Sequence, residues 1–304
     1  MAVATEKLIA PLAQTRLGAR VRESLVGYGF VLLPMGIFAV FFLYPMGYAI
    51  YISFFNWGVL GKIASVGTGN YVKLYHDHIF WIAIRNTFEY AVVVVPLEMA
   101  LGLLLALIIN QKIHGRTFFR AAFYFPSLVS SAAITSIAIY ILNANGLLNR
   151  IVGGHRSWFG DEKTALWAIV GLNAWTTAGT VMIFYLAAMQ SIPTDVYEAA
   201  ALDGTSEWRT FWRITFPLLR PAHFFVIVVF GIGALKIFDQ AFIVSQGTGG
   251  PNYATTFGVL YIYLQAFRSL AFGYAATVGV AMFVVIFLLT VIQRLTIGRT
   301  EIGG

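Results

Sequence analysis

The 304-residue sequence predicts an all-α integral membrane protein with six transmembrane helices. Three observations carry this. Apolar residues make up 59% of the chain and charged residues only 11%, against roughly a quarter charged in an ordinary soluble domain. Several uncharged runs exceed the roughly 20 residues that cross a bilayer. The basic residues also fall unevenly between alternate connections, as they do where lysine and arginine are retained on the cytoplasmic side.

The first span, residues 27–50, is too long and too aromatic for a cleaved leader and lacks a small-residue cleavage site, so it is expected to be retained. Further spans are expected at 88–110, 121–142, 165–189, 222–245 and 271–293. With the N-terminus inside, Lys7, Arg16, Arg20, Arg22, Lys112, Arg116, Arg120, Arg209, Arg213, Arg220, Arg294 and Arg299 are cytoplasmic. Only Lys62, Lys73, Arg85, Arg150, Arg156, Lys163 and Arg268 then lie outside, so both termini are placed in the cytoplasm. The external connections, 53–86, 143–164 and 246–270, are rich in Gly, Asn and aromatics. Gly67-Thr68-Gly69-Asn70 and Gly247-Thr248-Gly249-Gly250-Pro251 are turn chemistry. This divides the chain into a cytoplasmic tail (1–26), a first span with its external loop (27–82), a core of five spans (83–294) and a cytoplasmic tail (295–304). No appended domain is expected.

Several function classes are excluded. The absence of cysteine removes disulfides, thiol catalysis and cysteine metal sites. The formal charge of +7 belongs to the cytoplasmic loops, and no basic stripe alternates with aromatics as single-strand nucleic-acid binders require. The glycine loop at 247–250 lacks the Lys-Ser/Thr of a phosphate-binding loop, so ATP hydrolysis has to come from another chain. No nucleophile–base–acid set is evident, so no catalytic residue is assigned. His76-Asp77-His78 has the look of a metal tripod, but its spacing is unspecific and no further ligand is evident.

Between the fourth and fifth spans lies a compact charged island, expected to form two short helices with a sharp corner. Pro193 suits a helix's first turn, and Asp195 and Glu198 are favoured by its dipole. Val196, Tyr197 and Ala200 share one side. Gly204 supplies the left-handed conformation that ends a helix, and Thr205 or Ser206 can cap the next. Trp208, Phe211 and Trp212 form one face of that second helix and Arg209 and Arg213 another, with Pro217 expected to stop it. Part of 206–216 also suits the inner membrane interface, where Trp and Arg belong.

Glu198-Ala199-Ala200, three residues, Gly204, nine residues, then Ile214-Thr215-Phe216-Pro217 resembles the EAA loop of ABC-importer permeases, with Phe216 where leucine is usual. The resemblance covers nearly the whole chain. Asn86-Thr87, Leu101-Gly102-Leu103, Phe125-Pro126, Gly146-Leu147-Leu148-Asn149, Leu235-Lys236-Ile237-Phe238-Asp239, Gly249-Gly250-Pro251 and Gly273-Tyr274-Ala275-Ala276 are similar to the carbohydrate-uptake branch, the MalF/UgpA type. It implies a type I ABC importer permease in a bacterial plasma membrane. Such a permease pairs with a second permease, two ATP-binding subunits that hold ATP and Mg, and an extracytoplasmic solute-binding protein. It implies a coupling role for Tyr197, Glu198, Ala199, Ala200, Asp203 and Gly204, within a loop spanning 190–220. The solute is expected to be a sugar or oligosaccharide, with glycerol 3-phosphate or a glycerophosphodiester as the alternative. A secondary transporter driven by ions through Glu98 or Lys236–Asp239 is the rival class.

The residues proposed for the substrate pathway come from polarity inside spans. Lys236 and Asp239 each cost about 2.5–3.5 kcal/mol at mid-bilayer, against about 0.3–0.6 returned by a large apolar residue. They therefore face protein or water, either as a self-neutralising i,i+3 pair or, with Gln240, toward the passage. Asn173, Trp175, Thr176 and Thr177 offer amide and hydroxyl hydrogen bonds and an aromatic platform suited to a sugar, or else small polar packing between helices. Glu98 is expected to bond across helices or to sit in a wet cavity.

Overall fold

The structure, a computed structural model, describes Ser24 and residues 27–111 and 114–296. Lys7, Arg16, Arg20, Arg22, Lys112 and Arg299 lie outside the described residues. Two units are distinguished, one reaching Ile52 and one beginning at Ser53. The first contributes all but the last residue of α1 (Gly27–Ser53), long and apolar enough to cross a membrane, with a π-helical turn at Ala39–Leu43.

The second unit opens with a feature an all-α expectation omits, an antiparallel hairpin of β1 (Phe55–Gly58) and β2 (Gly61–Ser65). Gly61 turns it with φ +101°. Helix α2 (Gly69–Tyr75) follows, and the Asn70 amide donates to the Phe55 carbonyl at 3.0 Å, closing the hairpin's base.

Helix α3 (His78–Asn110) begins ten residues before the predicted span. Its first turns contain His78, Arg85 and Asn86, which mask it from a hydropathy reading. The start is set by Asp77, whose carboxylate accepts from the Ile79 and Phe80 amides at 2.9 and 3.3 Å, satisfying two of the orphan donors of a helix N-terminus. At 1.5 Å per residue α3 is about 50 Å long, so it reaches past an apolar layer of about 30 Å.

The third predicted span is two helices, α4 (Arg116–Leu128) and α5 (Ser131–Ile141), bent by 93°. The backbone turns extended at Val129, soon after Pro126. Across the bend, the Ser127 hydroxyl donates to the Thr176 carbonyl at 2.6 Å. After the short α6 (Leu147–Val152) comes α7 (Ala165–Gln190), with more of its residues buried than any other span. Contacts between α3 and α7 run in the same direction, Tyr90 with Asn173 and Gly102 with Val181. Two parallel helices need one return crossing between them, and α4 with α5 supplies it.

Next come α8 (Thr194–Leu202), α9 (Glu207–Thr210), a π-helical turn (Phe211–Thr215) and α10 (Phe216–Leu218). The fifth span is α11 (Arg220–Leu235) and α12 (Asp239–Val244), separated by an irregular turn at Lys236–Phe238. The helix 222–245 expected from sequence is therefore interrupted. Finally α13 (Gly258–Tyr263) leads through a π-helical turn (Leu264–Arg268) into α14 (Phe272–Thr296).

Two apolar clusters hold α3, α7 and α11 together. One surrounds Tyr90, Val94, Ile169, Ala234, Phe257 and Leu260; the other surrounds Ala106, Val181, Met182, Tyr185, Leu219 and Val226. Gly102 allows the close approach of α3 and α7, since a Cβ there would lie 2.6 Å from that of Val181. Gly179 does the same for α4, where a Cβ would lie 2.8 Å from the Tyr124 Cα.

Many of the remaining resemblance residues are explained by hydrogen bonding. Asn86 donates to the Tyr253 and Thr256 carbonyls at 2.8 and 3.1 Å, and the Thr87 hydroxyl accepts the Gly258 amide at 2.9 Å. The Asn149 amide closes its own loop on the carbonyls of Asn143 and Arg156, both at 2.7 Å.

Candidate functional site: a polar cavity and an exposed helical knuckle

The cavity forms where two spans lose helical regularity. At Lys236–Phe238 and at Val129–Ser130 side chains from broken segments meet the continuous α3 and α7. The space is about 510 Å³, lined by Tyr90, Glu98, Ser131, Asn173, Thr177, Phe230, Lys236, Phe238, Asp239 and Gln240 among others. A smaller cavity of about 180 Å³ shares Ser131, Asn173, Thr177 and Gln240 and adds Ser127, Thr176 and Thr180.

Asn173 is the hub. Its amide nitrogen donates to the Tyr90 hydroxyl at 2.6 Å and to Glu98 Oε1 at 3.3 Å. Its carbonyl oxygen accepts from Gln240 Nε2 at 3.0 Å. Thr176 returns its hydroxyl to the Asn173 backbone carbonyl at 3.0 Å. Glu98 is only 2% exposed, so it both bonds across helices and borders the cavity. The Ser131 hydroxyl is buried without a partner and faces both cavities.

The residues proposed for the pathway are thus partly gathered. Asn173, Lys236, Asp239 and Gln240 line the larger cavity and Thr176 the smaller. Trp175 lines neither and is 55% exposed. Two residues along a helix turn by about 200°, so Trp175 points away from the face bearing Asn173 and Thr177. Lys236 and Asp239 do not form the self-neutralising pair, because the break removes the helical i,i+3 geometry. Among the described residues the ion pairs are Arg85–Glu89 and Arg156–Asp161. Tyr90 and Ser131 escaped sequence reasoning. A signal for Tyr90 existed, since it precedes Glu98 by eight residues, just over two turns on one side of α3.

The knuckle is α8 and α9. Pro193 precedes the first helical residue in extended conformation and Asp195 sits in the first turn. Gly204 ends α8 with φ +66°, and nothing lies within 4 Å of where a Cβ would stand. Backbone conformation alone requires glycine there. Thr205 closes the corner, its amide and hydroxyl reaching the Ala200 carbonyl at 3.1 and 2.7 Å. Ser206 caps α9, accepting the Arg209 amide at 3.4 Å.

Asp195, Glu198, Ala199, Leu202 and Asp203 are exposed, Leu202 to 90%. Ala200 is buried and Tyr197 half-buried, its hydroxyl accepting from Thr215 at 3.3 Å. The residues expected to couple therefore split into an outward surface (Glu198, Ala199, Asp203) and an inward anchor (Tyr197, Ala200). Pro217 does not end the second helix. It lies within α10, and the break falls at Leu219.

The His76-Asp77-His78 segment has a different use. Beyond capping α3, Asp77 accepts from the Tyr261 and Tyr274 hydroxyls. Burial raises the Asp77 carboxyl, but those hydroxyls and the two amides outweigh it and hold the group below the usual carboxylate range.

Several membrane-length apolar helices around a polar, solute-sized cavity at two helix breaks define a multi-span solute permease. The chain belongs to the family described as binding-protein-dependent transport system inner membrane component, whose sequence model matches residues 98–301. It is 34% identical to the lactose transport system permease protein LacF of Rhizobium radiobacter, over 88% of this chain and 92% of that one. It is likewise 34% identical to the multiple sugar-binding transport system permease protein MsmF of Streptococcus mutans, over 88% and 93%. In fold it matches a chain of a bacterial alginate ABC transporter solved in complex with an alginate pentasaccharide-bound periplasmic protein, with a TM-score of 0.80 and 23% identity over 94% of this chain and 98% of that one.

Proposed function

We propose that this chain is a membrane-spanning permease subunit of an ATP-driven importer for a sugar or oligosaccharide delivered by an extracytoplasmic binding protein. A second permease and two ATP-binding subunits complete the assembly. ATP and Mg are held by those subunits, and both termini face the cytoplasm. The observation that carries the reading is α8: a short helix ended by a left-handed glycine, outward-facing through Glu198, Ala199 and Asp203 and anchored inward through Tyr197 and Ala200. A convex part of that kind suits a groove on a moving neighbour. Closure of the ATP-binding subunits would push it, and the spans would rock as rigid bodies from inward- to outward-facing. The neighbours LacF and MsmF, named for lactose and multiple sugars, support the solute class.

The cavity supports a neutral solute over a glycerol phosphate. Asn173, Gln240, Tyr90, Thr177 and Ser131 offer mixed donors and acceptors, as a hydroxyl array requires. Lys236 is the single cation among the lining residues, so the space lacks the cluster of cations that would hold a phosphate. The test uses the chain's lack of cysteine: a cysteine at Ala199 is the only thiol in this subunit. In the reconstituted importer it is expected to cross-link to an ATP-binding subunit, and uptake of a neutral sugar is expected to stop when ATP is withheld. No cross-link to that subunit, or uptake that survives without ATP and collapses with an ionophore, would overturn the proposal.

A further inference from the structure

We infer that His223 is a positioning residue for force transfer, stiffening the joint between the knuckle and the spans; this rests on the coupling role proposed above for α8. The connection from α10 to α11 has a built-in weak point. Pro221 has no N–H to return to the Pro217 carbonyl four residues earlier, and its ring crowds that carbonyl. The backbone breaks beside it, at Leu219, with φ −84° and ψ 7°. The π-helical turn Phe211–Thr215 is a second irregularity just upstream. The backbone crosses this point through the Leu219 and His223 amides, bonded to the Thr215 and Leu219 carbonyls at 3.0 and 2.9 Å, without the bond that Pro221 cannot make.

The His223 ring bridges the break. Nε2 lies 3.2 Å from the Phe216 carbonyl oxygen. A carbonyl only accepts, so Nε2 carries the proton. Nδ1 lies 2.8 Å from the Tyr185 hydroxyl, and a neutral imidazole so oriented accepts there. Tyr185 is fully buried on α7, in the cluster with Val181, Met182, Leu219 and Val226, so its hydroxyl is a fixed anchor. The ring is further held by Phe216 and Tyr185, with centroids at 4.5 and 5.3 Å. On the knuckle side, Thr215 bonds to Tyr197 of α8. The imidazole thus adds a side-chain hydrogen bond, at the Phe216 carbonyl, across the stretch where Pro221 cannot return one to the Pro217 carbonyl. It also ties the end of the knuckle to two spans at once, a contiguous route for coupling.

The experiment measures ATP hydrolysed per solute taken up by the complete importer in liposomes. His223→Ala is expected to raise that ratio about fivefold and Tyr185→Phe about twofold to threefold, with hydrolysis continuing. His223→Gln, whose amide N–H can serve the Phe216 carbonyl, is expected to bring it back to within about twofold of native. A purely packing role predicts no such rescue, and its absence counts against the inference. A native ratio in both His223→Ala and Tyr185→Phe importers overturns it. If His223→Ala does not assemble, Tyr185→Phe, which removes one hydroxyl and keeps the ring, decides alone. A Gly204→Pro importer that is uncoupled while both joint variants stay coupled rejects the joint and spares the knuckle. A native importer whose uptake needs no ATP rejects the reading beneath both.

Discussion

Gln240 donates its side-chain amide to Asn173 at 3.0 Å, so the first turn after the break in the fifth span is held to a residue of the continuous α7. This bond sits in the wall shared by the two cavities. Anything traversing that wall has to exchange it for bonds of its own, which is the behaviour expected of a polar, hydroxyl-rich solute.

Asn173→Leu removes three hydrogen bonds and leaves Glu98 buried without that donor. An unpartnered buried polar group costs about 1–3 kcal/mol, more when charged. The purified subunit is expected to melt several degrees lower, and uptake in the assembled importer to fall about tenfold for a loss near 1.4 kcal/mol. Thermal unfolding in detergent and radiolabelled uptake in liposomes measure the two effects separately. Trp175→Leu, off the cavity face, is expected to leave the apparent solute KM within about twofold.

Gly204→Pro cannot adopt φ +66°, because the pyrrolidine ring holds φ near −65°. It is expected to dismantle the corner between α8 and α9 and to abolish ATP-dependent uptake while membrane insertion is retained. Gly204→Ala, penalised by about 1–2 kcal/mol in the left-handed region, is expected to give an intermediate loss. Glu198→Lys reverses an exposed charge without disturbing a buried contact, and should abolish uptake at native expression. Full uptake by either Gly204→Pro or Glu198→Lys in proteoliposomes would contradict the role given to α8.

Gly102→Val drives a side chain into Val181 at the α3–α7 crossing. Overpacking of this kind costs about 1–3 kcal/mol. The expected result is a lower melting temperature in detergent without a change in solute preference. Because the Val181 Cβ and the Met182 backbone nitrogen would still lie 2.6 and 3.0 Å from the new Cβ, Val181→Ala in the same chain should recover little of the loss, which a double-mutant comparison of melting temperatures would reveal.

Asp77 links α3 to α13 and α14 through Tyr261 and Tyr274, with Lys73 lying 4.3 Å over the Tyr274 ring. Its carboxyl is lowered in the folded protein, so the unfolded chain takes up its proton first as pH falls. The associated stability is fully present above the unfolded value of about 3.9 and is lost as pH drops through the lower folded value. Denaturation midpoints should therefore be flat from neutrality to about pH 5 and fall below about pH 4. Asp77→Ala should lower stability at pH 7, by about 1 kcal/mol for the lost helix cap alone, and should flatten that acid limb. An acid limb unchanged by the substitution would show that another carboxylate governs it.

Much of this architecture was legible from local signals. The apolar runs announced the spans, because insertion into lipid depends on the residues of each segment alone. The spacing of Glu198, Gly204 and Pro217 announced a corner, because a left-handed glycine and a capping Ser206 act over only a few residues. Asn173, Gln240, Lys236 and Asp239 stood out as polar groups within apolar runs, and the fold does place all four around one cavity.

What composition could not convey is where a span stops being a helix. Hydropathy is blind to the 93° bend at Val129–Ser130 and to the break at Lys236–Phe238, since a broken helix has the same residues as a straight one. It is equally blind to facing, so it does not separate Trp175 from Asn173, which point apart. The start of α3 at His78 and the use of Asp77, Asn86 and Asn149 as loop ties depend on partners far along the chain. The sequence alone determined which segments are long and apolar enough to enter a membrane and where the corner at Gly204 turns, because those are properties of neighbouring residues. Only the tertiary structure decided which polar groups share a cavity and how His223 spans the proline break, because those contacts exist only once distant helices are packed.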